Sequence, residues 1–201
     1  MRIDLLRHGA CAGGRVFRGH IDVPLTDAGW QQMEKGLQNL SAPWTRIISS
    51  PLQRCHKFAA QVGLDRDLPV HTEAGIREIG FGDWEGQPVD RIWHEQRALC
   101  EAWSSDPERH SPPGGEPFAS FRTRVLASID GLAKRYGDEP LLLVTHGGVI
   151  KLLLTTAHQW QPARMIALTV GYGFGASLEY NPSTRKFSIL HPPQSAYVYP
   201  A

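Results

Sequence analysis

Two histidines in this chain end apolar runs and are each followed by glycine: Leu5-Leu6-Arg7-His8-Gly9 and Leu142-Leu143-Val144-Thr145-His146-Gly147-Gly148. Each run reads as a buried strand that stops at its histidine, and ligands of a parallel sheet bind at that end of the strands. Glycine there permits close backbone approach, and a following helix aims its N–H groups and positive dipole end at an anion. Taken singly, either histidine reads as a satisfied structural residue. The pair reads differently once Ile48-Ser49-Ser50-Pro51-Leu52-Gln53-Arg54 is added, where a third strand feeds a helix whose first turn presents Arg54. Three strand ends then offer cationic or hydrogen-bonding groups, which is a cage for phosphate. Arginine suits such a cage because its planar fork makes two parallel charge-assisted bonds to phosphate oxygens.

Other chemistries fit the residues less well. A cysteine-based phosphoryl transfer needs Cys-x5-Arg spacing, and Arg15 and Arg18 are both out of register with Cys11. A metal hydrolase could draw on nine histidines, but neither His-x-His nor His-Glu-x-x-His spacing occurs. No metal and no cofactor are expected.

Taken together these segments resemble the histidine phosphatase superfamily, also called phosphoglycerate-mutase-like, over nearly the whole chain. Arg7-His8-Gly9 is similar to its RHG signature, Pro24-Leu25-Thr26 with Gly29 to its P-L-T-x-x-G stretch, and Ser49-Ser50-Pro51-Leu52 with Arg54 to its S-S-P-L-x-R segment. Glu78 and Thr145-His146-Gly147 follow in the expected order. The resemblance implies that His8 is the nucleophile, that Arg7, Arg54, His146 and Gly147 bind the phosphoryl oxygens, and that Glu78 protonates the leaving group. On this reading His146 is protonated, and Ile76, Ile79 and Phe81 help to keep the Glu78 carboxyl neutral. Glu73, Asp83 and Glu85 are rival carboxylates within a few residues of Glu78.

Where the family usually shows Glu-Ser or Glu-Thr after the signature, and Asn six residues past the histidine, this chain has Ala10, Cys11 and Gly14. Arg15 or Arg18 is expected to supply the missing charge, with Arg18 the substrate-binding choice. The run Arg77-Glu78-Ile79-Gly80-Phe81-Gly82-Asp83-Trp84-Glu85-Gly86, with Pro113-Gly114-Gly115-Glu116 and a helix bearing Phe121 and Arg124, resembles the α-ribazole phosphatase branch. That branch removes the 5′-phosphate of α-ribazole 5′-phosphate in assembling the nucleotide loop of cobalamin. The implied activity is a phosphomonoesterase working through phosphohistidine. The alternatives are a broad-specificity phosphatase of small metabolites, a phosphoglycerate mutase, and a catalytically silent phosphate-binding regulatory module. Against the mutase, the chain lacks room for that branch's long insertion and closing tail. Core packing is favoured over base stacking for at least two of Phe81, Trp84 and Trp93.

The elements that must position these groups follow from the pattern. Short apolar runs alternate with helical stretches, the signature of a three-layer α/β/α sandwich with a mostly parallel central sheet. Strands are predicted over Arg2 to Leu6, Arg46 to Ser49, Leu141 to Thr145, Ser177 to Tyr180 and Lys186 to Leu190. Helices are predicted from Thr26 to about Leu40, Leu52 to Val62, Pro88 to Trp103, Phe118 to Tyr136 with Gly137 closing it, and Gly148 to Ala157. The breaker-rich stretch from Ser104 to Gly115 reads as a loop. A single domain over residues 1–201 is expected, with a helical cap at about 88–115 that covers the cleft.

Composition limits the partners. With 201 residues, 41% hydrophobic and 20% charged, the chain can bury a core without disulfides, and no apolar run approaches a membrane span. A net charge of +1 gives no global field for nucleic acid, so affinity for anions must be local. Three cysteines without a CxxC pair, and a strand entered at once from Met1, point to free thiols and the cytoplasm. A small phosphomonoester is the expected partner, with no nucleic acid and no membrane; a homodimer is allowed for.

Overall fold

In the computed structural model, which describes residues 1–40 and 42–191, the first strand β1 (Arg2–Arg7) lies inside a six-stranded sheet. The remaining strands are β2 (Arg46–Ser49), β3 (Val70–Thr72), β4 (Leu141–Thr145), β5 (Gly175–Asn181) and β6 (Lys186–His191), in the order β3-β2-β4-β1-β5-β6. The first four run parallel, and β5 pairs antiparallel with both β1 and β6. The expected domain span includes residues 41 and 192–201, which lie outside the described residues.

Alternation along the central strands decides which helices cover which face. Ile3, Leu5, Leu141 and Leu143 point into one core with α5 (Phe118–Tyr136) and α6 (Gly147–Ala157). Leu6, Leu142 and Val144 point into the other, with α1 (Asp27–Gln38) and α2 (Gln53–Arg66). That makes three layers. Local signals end the helices as their sequence implies: the Thr26 hydroxyl accepts the Gly29 N–H at the start of α1, and Gly137 takes φ +59 at the end of α5.

Two helical boundaries differ from the expected ones. α2 runs on to Arg66, because Asp67 adopts the left-handed conformation (φ 52) that stops it. The stretch from Pro88 is two helices, α3 (Val89–Glu95) and α4 (Arg97–Ser105), broken at Gln96, whose side-chain oxygen accepts the Trp84 indole N–H at 2.7 Å. A short helix α7 (Ala163–Ala167), absent from the sequence reading, precedes β5. Phe17, Phe81, Trp84 and Trp103 meet ring to ring at 5.1–6.4 Å and fasten α4 to the loops beneath it. Trp84 is fully buried there, whereas Trp93 is 37% exposed.

Strand register sets the site. Leu6 and Ser49 both pair with Val144, and Arg7 pairs with Thr145. Past the ladder, the His8 N–H donates to Thr145 O at 2.9 Å and the Ser50 N–H to Val144 O at 3.0 Å. His8, Ser50 and His146 therefore leave three adjacent strands at one level.

Candidate active site

His8 is 4% exposed, and its Nδ1 lies 2.8 Å from the carbonyl oxygen of Gly9. A carbonyl oxygen can only accept, so Nδ1 carries the proton and Nε2 the lone pair. Burial, reinforced by the guanidinium groups of Arg7 and Arg54, holds the imidazole well below its ordinary pKa of 6.5. The ring is thus neutral, with one nitrogen committed and the other basic. The Cys11 thiol lies 3.6 Å from His8 Nδ1 and donates to the same Gly9 oxygen at 3.4 Å, and burial pushes its pKa up. Cys11 is a neutral wall of the site.

His146 stands edge-on to His8, with ring centroids 5.2 Å apart. Its Nε2 lies 2.7 Å from Ser50 Oγ, and the buried Cys55 thiol touches the ring at 3.7 Å. The protonated His146 expected from the sequence is not what the surroundings favour. Burial first, then the positive charge of Arg54, depresses its pKa well below 6.5, so the ring is neutral in the free protein.

Both expected arginines converge on these rings. Arg54 is fully buried, and its guanidinium is held by Ile21 O at 2.8 Å and Gly19 O at 2.7 Å, while its Nε is buried without a protein partner among the described residues. Arg7 donates to Val170 O and lies 4.5 Å over the ring of Tyr172. Gly147 makes room for it, since a Cβ there would stand 3.1 Å from Arg7 Nε. The arrangement is two fixed guanidinium groups and two neutral imidazoles around one level of the sheet, which suits a dianion.

Glu78 joins them from the third side. Its carboxyl oxygens accept the Gly148 N–H at the start of α6 and the Ile79 N–H, both at 3.0 Å. The rival carboxylates are engaged elsewhere. Glu73 caps the turn at Gly75 and bonds Ser128, and Glu85 accepts the backbone N–H groups of His20, Ile21 and Phe81. Asp83 is exposed.

Of the two arginines considered as replacements for the missing Asn, Arg15 turns away to an exposed ion pair with Asp90 at 2.9 Å. Arg18 is 8% exposed and donates to Ala12 O and Gly14 O, so it ties together the loop in which the family pattern breaks; its charge reaches His8 and Cys11. Residues the sequence reading did not assign also complete the site. Ser50 holds His146, and Arg124 donates to the carbonyls of Gly75, Arg77 and Glu78 at 2.8 Å, bracing the strap that carries the acid. Ser50 belongs to the Ser49-Ser50-Pro51-Leu52 segment and Arg124 to the predicted helix from Phe118 to Tyr136, but nothing in residue type tells a bracing side chain from a solvated one. Lys151 is pushed down to about 8, by burial first and then by Arg7.

Among the described residues, no group of three or more His, Cys, Asp or Glu side chains is placed to hold a metal, and no helix is long and apolar enough to cross a membrane.

Residues 3–190 match the family model described as the histidine phosphatase superfamily, branch 1. The adenosylcobalamin/alpha-ribazole phosphatase of Salmonella typhimurium is 35% identical over 158 residues, covering 77% of this chain and 78% of the relative. The protein of the same name from Escherichia coli is 30% identical over 194 residues, covering 94% of each. The crystal structure of the alpha-ribazole phosphatase from Shigella flexneri superposes with a TM-score of 0.81 at 28% identity, covering 98% of this chain and 97% of the other.

Proposed function

The chain belongs to the histidine phosphatase superfamily, branch 1, and is a phosphatase; from that premise we propose that it removes the 5′-phosphate of α-ribazole 5′-phosphate through a phosphohistidine on His8. The observation that carries the mechanism is the bond from His8 Nδ1 to Gly9 O, which leaves the Nε2 lone pair to attack phosphorus. Identity to the two named phosphatases supports the choice of substrate.

In the first step a bond forms between His8 Nε2 and phosphorus while the ester P–O bond breaks. Arg7 and Arg54 take up the charge on the equatorial oxygens, and the Nδ1–H of the cationic phosphohistidine donates a hydrogen bond to the carbonyl of Gly9. Glu78 gives a proton to the departing alkoxide. In the second step Glu78 takes a proton from water, the water oxygen bonds phosphorus, and the P–N bond breaks. Burial first, and then the positive charge of Arg54, keeps His146 neutral; the arriving dianion offsets the second, which favours protonation of the ring from solvent as substrate binds. Arg18 supports the loop beside the phosphoryl group. Helices α3 and α4 are read as a cap that holds contacts to the leaving group.

Phosphate release from α-ribazole 5′-phosphate, 3-phosphoglycerate, fructose 2,6-bisphosphate and an aryl phosphate tests the reading. A kcat/KM for the first at least about tenfold above the others, or 1.4 kcal/mol, is expected; a smaller preference makes the chain a generic phosphatase.

A further inference from the structure

One large side chain at the site has no part in the reaction just derived. Tyr172 is 40% exposed, yet its ring lies 5.9 Å from that of His8 and carries the Arg7 guanidinium 4.5 Å over one face. Solvent reaches the remainder of the ring. The aromatic rings between α4 and the loops beneath it are differently placed: Phe17, Phe81, Trp84 and Trp103 are engaged with one another.

The backbone holds Tyr172 firmly in this exposed position. On one side, the Arg7 N–H donates to Phe174 O at 2.8 Å, which ties the loop to β1. On the other, Gly173 takes φ +67 and presses against α1 so closely that a Cβ would stand 2.1 Å from Gln32 O. Gly36 meets the same turn, and a Cβ there would stand 1.9 Å from Gly173 O. Gly173 and Gly36 thus bring the loop against the helix, and within the loop the Gly171 carbonyl accepts the Phe174 N–H at 3.3 Å. A ring fixed in this way loses little freedom when something packs on it, which is the condition for a preorganised contact.

We propose that Tyr172 is a specificity-determining residue whose open face packs against a planar aromatic ring carried by the leaving group. The inference rests on the reading above that His8 accepts the phosphoryl group, since that places the ester substituent at the rim where Tyr172 stands. Arg7 would bind the phosphoryl group from one face of the tyrosine while the substituent's ring covers what solvent now reaches. Stacking of a base on an aromatic side chain tolerates many ring types, so the contact selects for a flat ring rather than for one pattern of hydrogen bonds.

The test compares α-ribazole 5′-phosphate with ribose 5-phosphate, which share a 5′-alkoxide leaving group and differ in the ring. In wild type the first is expected to have the higher kcat/KM. Tyr172→Ala should lower the ratio of the two values by roughly tenfold, mostly through KM for the ring-bearing substrate, and Tyr172→Phe should restore the ratio. Tyr172→Leu, a bulkier replacement for the cavity, guards against a folding failure in the alanine variant and should behave like it. An equal loss on both substrates would make Tyr172 a support for Arg7 and overturn the inference, as would an unchanged ratio. Equal wild-type turnover of the two would overturn it while leaving the phosphatase reading intact, and turnover of neither would sink both.

Discussion

His146 Nε2 meets the hydroxyl of Ser50 at 2.7 Å, joining the ends of β4 and β2 across 96 residues of chain. Both partners are fully buried, so this contact fixes the orientation of the imidazole proposed to face phosphate. In Ser50→Ala the ring keeps its contact with Cys55 but loses its strong partner. The expected result is a fall in kcat/KM of roughly tenfold with stability lower by about 1 kcal/mol. Steady-state kinetics beside a urea titration will show whether activity falls further than folding does; equal kinetics for the two proteins would remove Ser50 from the site.

Glu78→Gln keeps the shape of the acid and removes its proton. Turnover of an alkyl phosphate should fall by about 10²–10⁴, whereas an aryl phosphate, whose leaving group departs without help, should lose far less in the first step. Burst kinetics with the aryl ester should then show phosphoenzyme accumulating as the second step slows. Full activity on the alkyl ester would exclude Glu78 as the acid.

Gly148→Ala separates chemistry from folding in another way. Alanine favours the helix, but its Cβ would stand 2.2 Å from Glu78 Oε1. The flexible end of Glu78 can move aside, so the melting temperature should change little. The displaced carboxyl should cost at least about tenfold in kcat, a loss expected of a misplaced general acid.

The two buried imidazoles also predict how stability depends on pH. Because His8 and His146 both have folded pKa values well below 6.5, the unfolded chain binds protons below that pH that the folded chain does not. Stability is therefore full above about pH 7 and declines as pH falls, by about 1.4 kcal/mol per unit for each group until its folded pKa is reached. Chemical unfolding between pH 7.5 and 5.5 measures the slope. His8→Asn, with nothing to titrate at that position, should reduce it; a slope that this variant leaves unchanged would show that His8 is not held neutral.

Much of this was legible in the chain itself, for physical reasons. His8 and His146 sit one step past strands whose apolar runs have few other places to go, and Arg54 lies in the first turn of the helix after a third, so the register that aligns them follows once the parallel sheet is recognised. Gly137 ended its helix where a left-handed residue was called for. Less legible were contacts that arise only in three dimensions. The neutral state of His146 depends on burial against Arg54, and no residue near it in sequence signals that. Arg18 ties down the loop at Ala12 and Gly14 rather than acting simply as a free cation, while Arg15 faces Asp90 in α3. Gln96 breaks a continuous helical pattern because Trp84 needs a partner for its indole N–H.

The hydrogen bond from His8 to the Gly9 carbonyl bears on what evolution can alter here. A main-chain oxygen is a partner that no side-chain replacement can delete, so the tautomer of His8 is insulated from changes in the residues that follow it. Ala10, Cys11 and Gly14 can then depart from the usual family pattern without disarming the nitrogen proposed to attack phosphorus. The backbone holds the tautomer of the histidine whatever side chains follow it.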